Sequence, residues 1–201
     1  MEIEYHGPRD ASRLKREIVA IYESAWIETP FAPTPAQLLD FDAVLDRHLT
    51  RSGFRLVTAR DEAGGLAAFA YGYTSAPGGW WRDIVVAHLD EETVREWFTD
   101  CYEFVELAVR PVAQGRGVGA ALHDALLANL PHRTSVLSTQ TGNERARSLY
   151  ERRGWAVIDP GFMFPNRAYP YAIMGLDLTK RSPSPPRRAE RDRAPSPRAD
   201  R

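Results

Sequence analysis

Just past the middle of the chain, Gln114-Gly115-Arg116-Gly117-Val118-Gly119 restricts what can be built around it more than any other stretch. It follows a run of strand composition, Phe104-Val105-Glu106-Leu107-Ala108-Val109, and opens a run of helical spacing from Ala120 to Leu130. Glycines there let backbone N–H groups come close to a ligand. At a helix N-terminus such donors are unpaired and lie at the positive end of the macrodipole, which favours phosphate oxygens. The turn is a candidate pyrophosphate cradle, and by itself equally a tight turn with no ligand.

Two nucleotide-binding folds do not fit. A dinucleotide-binding fold carries its glycines in the first βαβ unit, with an acidic residue about 20 residues further on. Here the turn lies past mid-chain, and the next strand-like run, Thr134 to Ser138, ends without an acid. The phosphate-binding loop of nucleotide triphosphatases needs Gly-Lys followed by Ser or Thr, whereas the chain has only two lysines, Lys15 and Lys180.

The flanks match something else. Upstream stands Glu103-Phe104-Val105-Glu106-Leu107-Ala108-Val109-Arg110-Pro111; downstream comes Asn143-Glu144-Arg145-Ala146-Arg147-Ser148-Leu149-Tyr150, closing with Gly154-Trp155. Residues 101–158 resemble the GNAT family, the GCN5-related N-acetyltransferases. The Gln-x-x-Gly-x-Gly turn is similar to the family's acetyl-CoA pyrophosphate motif. Asn-x-x-Ala-x-x-Leu-Tyr, followed by Gly and an aromatic, is similar to its second conserved block. The resemblance implies an α/β domain over residues 1–179, with a mixed, mostly antiparallel central sheet flanked by helices. It also implies an enzyme that moves acetyl from acetyl-CoA to a primary amine by direct transfer in a ternary complex. An acyl-CoA-binding sensor or regulatory module without turnover is a reading of a different class, and the retained Tyr150 and strand glutamates argue against it.

Periodicity supplies an order of elements compatible with that fold. Glu2 to His6 reads as a strand, and Asp10 as the cap of a helix from Ala11 to about Trp26. The prolines of Thr29 to Pro35 break it, and a second helix runs from Ala36 to His48 with Leu38, Leu39, Val44 and Leu45 as its apolar face. Phe54–Ala59 and Leu66–Tyr73 read as a hairpin. Trp80–His88 and Glu91–Phe98 read as one or two short helices, whose Trp80, Trp81, Trp97 and Phe98 border the acceptor site in the resemblance, although aromatics at such spacing more often serve core or lid packing. After the helix from Gly117 to Leu130 come a strand at Thr134–Ser138, a helix at Asn143–Arg153 and strands at Trp155–Ile158 and Tyr171–Leu178. Pro160-Gly161-Phe162-Met163-Phe164-Pro165 reads as an apolar loop between them, open to substrate.

Composition bounds the rest. At 201 residues the chain holds one sizeable core. No apolar run approaches the ~20 residues that span a bilayer, and Met-Glu-Ile-Glu-Tyr-His lacks the pattern of a signal peptide, so a cytoplasmic protein is expected. One cysteine, Cys101, allows no internal disulfide. His6, His48, His88, His123 and His132 have no metal-ligand spacing, so no metal is expected. Residues 180–201 hold eight basic and three acidic residues, leaving 18 and 24 in the rest, so the near-neutral total conceals an acidic body. That balance favours a small or cationic amine acceptor over nucleic acid; a small-molecule or peptide amine is the partner expected, with no membrane, and a homodimer is open. From Ser182 onward the composition is Arg, Pro, Ser and Ala with no large apolar residue, which predicts a disordered tail.

Acetyl transfer needs a neutral nucleophile, a polarised carbonyl and a proton for the departing thiolate. By resemblance, Gln114, Gly115, Arg116, Gly117, Val118, Gly119 and Ala120 hold the pyrophosphate, backbone groups of Leu107, Ala108 and Val109 meet the pantetheine arm and thioester oxygen, and Asn143 meets the CoA arm. Tyr150, two helical turns after Asn143 on one face, matches the tyrosine that protonates the CoA sulfur; otherwise it is a core residue. Glu103 and Glu106 are the available bases, Glu103 being favoured by its position in the strand and Glu106 lying closer to the thioester. Their odd spacing puts them on opposite faces of a regular strand unless a bulge intervenes. Removal of residues 182–201 is expected to leave thermal stability and CoA affinity nearly unchanged, because the segment has no apolar anchor. A large drop in Tm on truncation would show that it docks.

Overall fold

The computed structural model describes residues 1–26, 35–165 and 167–180, with only the backbone of 35–39. The expected break at Thr29 to Pro35 lies largely outside these residues, as do the side chains of Leu38 and Leu39 and the tail from residue 181 on. Within them the order is β1 (Glu2–His6), α1 (Pro8–Arg13), α2 (Lys15–Trp26), α3 (Pro35–Leu49), β2 (Arg55–Arg60) and β3 (Leu66–Thr74). There follow α4 (Trp80–Val86), α5 (Glu91–Trp97), β4 (Cys101–Val109), α6 (Val118–Leu126), β5 (Thr134–Gln140), α7 (Glu144–Glu151), β6 (Ala156–Phe162) and β7 (Tyr171–Asp177). No helix among the described residues is long and apolar enough to cross a membrane.

The seven strands form one sheet in the order β1-β2-β3-β4-β5-β7-β6. Each neighbouring pair is antiparallel except β4–β5, which is parallel. Leu66-Ala67-Ala68-Phe69-Ala70-Tyr71-Gly72-Tyr73 is apolar almost without interruption because β3 is covered on both faces, and each of these residues is buried. One face packs Phe69, Tyr71 and Ala108 beneath Ile18, Ile21 and Leu45 of α2 and α3. The other packs Phe104, Leu137 and Met174 beneath Leu122 and Leu126 of α6 and Tyr150 of α7. A third cluster joins α4 and α5 to β5, β6 and β7 through Val85, Phe98, Val136, Phe162 and Ile173.

Three local expectations change. The first helix starts at Pro8, with Gly7 as its cap and Asp10 inside its first turn, and it is interrupted at Leu14. Proline at the first helical position needs no N–H partner, so it wins the start over the side-chain cap. α6 ends at Leu126, because Asn129 takes a left-handed φ of 54° and the Arg55 guanidinium donates to the carbonyls of Leu126 and Ala128 at 3.1 and 2.7 Å. The supposed loop at Pro160 is half strand: β6 runs to Phe162, and Phe162 and Phe164 are buried against each other in the third cluster.

The most consequential detail is in β4. Tyr71 pairs with Glu106 and Gly72 with Phe104, which leaves Val105 as an extra residue with no partner on β3. Such a bulge shifts the alternation by one. Glu103 and Glu106 therefore share the face of Tyr73 and Tyr71, their cross-strand partners. Gly72 makes this approach sterically allowed, since a Cβ there would run into the Glu103 carbonyl and the Tyr102 ring. Gly72→Ala is expected to lower stability by about 1–3 kcal/mol, the usual range for overpacking, read as a fall in Tm by calorimetry. An unchanged Tm would mean the two strands tolerate a wider separation.

Candidate functional site

β4 and β5 are hydrogen-bonded only where Cys101, Tyr102 and Glu103 meet Thr134, Ser135 and Val136. Beyond that the strands part, and the backbone of Phe104 to Val109 has no ladder partner on that side. A cavity of about 1060 Å³ occupies the gap, lined by β4 from Phe104 to Val109, by β5 from Leu137 to Gln140, and by residues of α2, α6 and α7. Because α2 covers one face of the sheet and α6 and α7 the other, the cavity is a slot through the sheet.

At one mouth lies the glycine turn. Gly115 and Gly117 have φ of 75° and 79°, the left-handed region that glycine enters freely, and Gly117 caps α6. The first intrahelical bond is Ala121 N–H to the Gly117 carbonyl at 3.0 Å, which leaves the N–H groups of Val118, Gly119 and Ala120 without helical acceptors. All three residues line the slot, with Gln114, Gly115 and Gly117; Arg116 is exposed and is not among the lining residues. A Cβ on Gly119 would stand in ordinary contact with Leu107 at 3.4 Å and Val109 at 3.8 Å. The Gln114 amide donates to the Val109 carbonyl at 2.8 Å, and its oxygen accepts from Arg145 of α7, which ties the two lips of the mouth together. Asn143 caps α7 by accepting from Ala146 N–H at 3.1 Å and also lines the slot.

Tyr150 is buried at the wall, edge-on to Phe104 with ring centroids 5.9 Å apart and 5.6 Å from Trp155. Among the described residues its hydroxyl has no protein hydrogen-bond partner, and the residue lines the slot. Burial, with the nearby Glu106 charge, raises its pKa and keeps it a phenol. Behind it, Trp155 Nε1 donates to His123 Nε2 at 2.8 Å and His123 Nδ1 donates to Asp124 at 2.8 Å, which fixes a neutral imidazole. Asp124 also receives Arg153 at 3.1 and 3.3 Å, and these bonds outweigh its burial to hold its pKa at about 2.

The two glutamates part company. Glu106 lines the slot, and one carboxylate oxygen accepts from the Leu107 N–H at 3.3 Å. Burial pushes its pKa up to about 7, against that one hydrogen bond. Glu103 is buried below the loop after β3, where Ser75 Oγ donates to it at 2.7 Å. Burial raises its pKa too, opposed by Ser75 and Tyr73 and by the fields of Arg51 and Arg82. It is not among the residues lining the slot.

Other expectations resolve in the core. Trp97 lies against Gly175, Phe98 is buried, and Trp81 Nε1 donates to Ser138 Oγ at 3.0 Å; only Trp80 is largely exposed, stacked on Phe164. Cys101 is buried with its thiol pushed up to about 11 by desolvation, unsuited to a thiolate nucleophile. No group of three potential metal ligands occurs among the described residues. Tyr22, Trp26, Ser138, Gln140 and Tyr171 line the slot unannounced by any sequence signal, because strand parting and not local spacing brings them together.

Comparisons with known proteins bear on this arrangement. The family model described as acetyltransferase (GNAT) family matches residues 18–155. A GCN5-like protein acetyltransferase of Mycobacterium tuberculosis, Rv2170, is 38% identical over 121 residues, covering 56% of this chain and 59% of the relative. The chain thus aligns with about three-fifths of that relative's length. Among solved structures, the acetyltransferase yncA of Salmonella typhimurium with its cofactor acetyl-CoA superposes with a TM-score of 0.58 at 19% identity, covering 93% of this chain and 98% of the other. Ribosomal-protein-alanine N-acetyltransferase of Brucella melitensis gives 0.59 at 19% identity, covering 88% and 99%. These structural likenesses speak to the fold.

The raised pKa of Glu106 has a stability consequence. A carboxyl with a higher pKa folded than unfolded is destabilising once ionised, so its cost grows between its unfolded value near 4.5 and its folded value near 7. Glu106→Gln is expected to raise Tm by roughly 3–8 °C at pH 8 and to change it little at pH 4. Equal shifts at both pH values, seen by calorimetry, would mean the carboxyl titrates normally.

Proposed function

Because the chain belongs to the acetyltransferase (GNAT) family, we propose that it transfers the acetyl group of acetyl-CoA to the primary amine of a small molecule or peptide. Transfer is direct, within a ternary complex. The observation that carries this reading is the convergence on one slot of an anion-binding helix terminus, an unpaired strand edge, a carboxyl poised near neutrality and a phenol with no protein partner.

The N–H groups of Val118, Gly119 and Ala120 and the turn glycines receive the pyrophosphate. Backbone groups of Leu107, Ala108 and Val109, on the strand edge that β5 leaves open, hold the pantetheine arm and polarise the thioester carbonyl. Glu106 takes a proton from the acceptor ammonium, a role suited to a carboxyl with a pKa of about 7. The neutral amine attacks the carbonyl carbon, the C–N bond forms, the C–S bond breaks, the sulfur takes the hydroxyl proton of Tyr150, and the proton shed by the acylated nitrogen restores the phenol. Glu103, held by Ser75 and remote from the slot, supports the strand that presents Glu106.

Tyr150→Phe is expected to lower kcat by roughly 10²–10⁴-fold, the usual range for a positioned acid, with little change in acetyl-CoA affinity measured by calorimetry. Unchanged turnover at saturating acetyl-CoA, with chemistry rate-limiting, would remove the tyrosine from the mechanism.

A further inference from the structure

The slot has a second mouth, on the α2 face, and its lining differs in kind from that of the first. Glu106 stands between the two. On the α2 side the described lining residues are Tyr22, Ala25 and Trp26 of α2, Gln140 at the end of β5, and Tyr171 at the start of β7, none of them charged. The charged residues of the lining other than Glu106, namely Glu144, Arg145, Arg152 and Arg153, belong to α7 and the turn that follows it, on the opposite face.

The two tyrosines are braced from behind. Tyr22 stacks on Phe41 of α3 with ring centroids 3.9 Å apart and planes 7° from parallel. Tyr171 is held edge-on by Phe164 at 5.2 Å, and its hydroxyl accepts from Gln140 Nε2 at 3.3 Å. Rings locked in this way form a preorganised apolar wall, which lowers the ordering cost of binding a flat or aliphatic group. Gln140 adds a polar feature: its side-chain oxygen is buried and has no hydrogen-bond partner among the described residues. An acceptor oxygen left so is a place for an N–H donor.

Resting on the acetyl-transfer reading above, we infer that the acceptor is a monoamine on an apolar, aromatic or aliphatic, body, and that Gln140 and Tyr22 determine this specificity. Glu106 and the Gln140 oxygen take the ammonium N–H groups, while Tyr22 and Tyr171 flank the carbon body. A second ammonium on the acceptor would find no second carboxylate among the described lining of this mouth. The remaining charge felt at the Tyr22 hydroxyl is that of Arg167, itself a cation. A polyamine or an aminoglycoside is therefore disfavoured, since each additional ammonium must shed water with no anion to replace it.

The test compares phenethylamine, n-butylamine, spermidine and kanamycin as acceptors for the full chain, with CoA release as the readout. Expected is a kcat/KM for phenethylamine at least tenfold above those for spermidine and kanamycin. Gln140→Leu should raise KM for phenethylamine roughly tenfold while leaving acetyl-CoA affinity by calorimetry unchanged. Tyr22→Ala should narrow the preference for phenethylamine over n-butylamine. Higher kcat/KM for spermidine or kanamycin overturns the acceptor assignment and leaves acetyl transfer standing; an unchanged KM in Gln140→Leu removes that residue from it. Binding of acetyl-CoA without CoA release for any amine overturns both readings together.

Discussion

Six residues of β4 without a strand partner on the β5 side are what the rest of the site depends on. A parallel pair that begins at Cys101 and stops at Glu103 leaves backbone donors and acceptors that must be satisfied by something other than a neighbouring strand. In most sheets such a gap is closed or covered. Here it is kept open by what surrounds it: the sheet continues on both sides through β3 and β7, and separate helical layers cover the two faces. The opening is thus a property of the whole sheet, and the residues around it inherit their chemistry from it.

Glu106 shows how. On a regular strand it would share a face with Phe104, among the rings beneath α6 and α7. The Val105 bulge turns it instead to the face of Tyr71 and, with the parting of the strands, leaves it one hydrogen bond from Leu107. One bond does not offset desolvation, so the carboxyl titrates near neutrality. Glu103, three residues earlier, shares the face but sits where β5 is still paired, below Ser75, and is committed there.

Much of this was legible in the sequence. The glycine turn, the helix opened by Val118, the Asn143 cap and the placement of Tyr150 follow from local spacing, and the structure has them where spacing puts them. The order of strands and helices was equally readable, with errors at boundaries settled by tertiary bonds, as where Arg55 takes the last carbonyls of α6. What spacing cannot express is register. Nothing local in Phe104-Val105-Glu106 announces that Val105 is extra; what permits it is Gly72 on another strand, where the backbones approach too closely for a side chain. Of the aromatic residues after β3, Trp97 and Trp81 take the packing role that their spacing favoured, filling the space over Gly175 and against Phe98. The residues that do line the second mouth, Tyr22, Gln140 and Tyr171, are far apart in the chain and share no pattern.

A slot that passes through a sheet has a topological consequence as well as a chemical one. Two molecules that enter from opposite faces meet end to end at the middle and leave by the way they came, neither obstructing the other. A single molecule made by joining them covalently has no such exit, since its two ends lie on opposite sides of the β-sheet like the heads of a rivet. Its release requires one head to be drawn through the gap between β4 and β5, past Glu106 and Tyr150, or the strands to part further. Such an adduct would hold on by residence time more than by the sum of its contacts, and its slow escape would report how far this sheet can open.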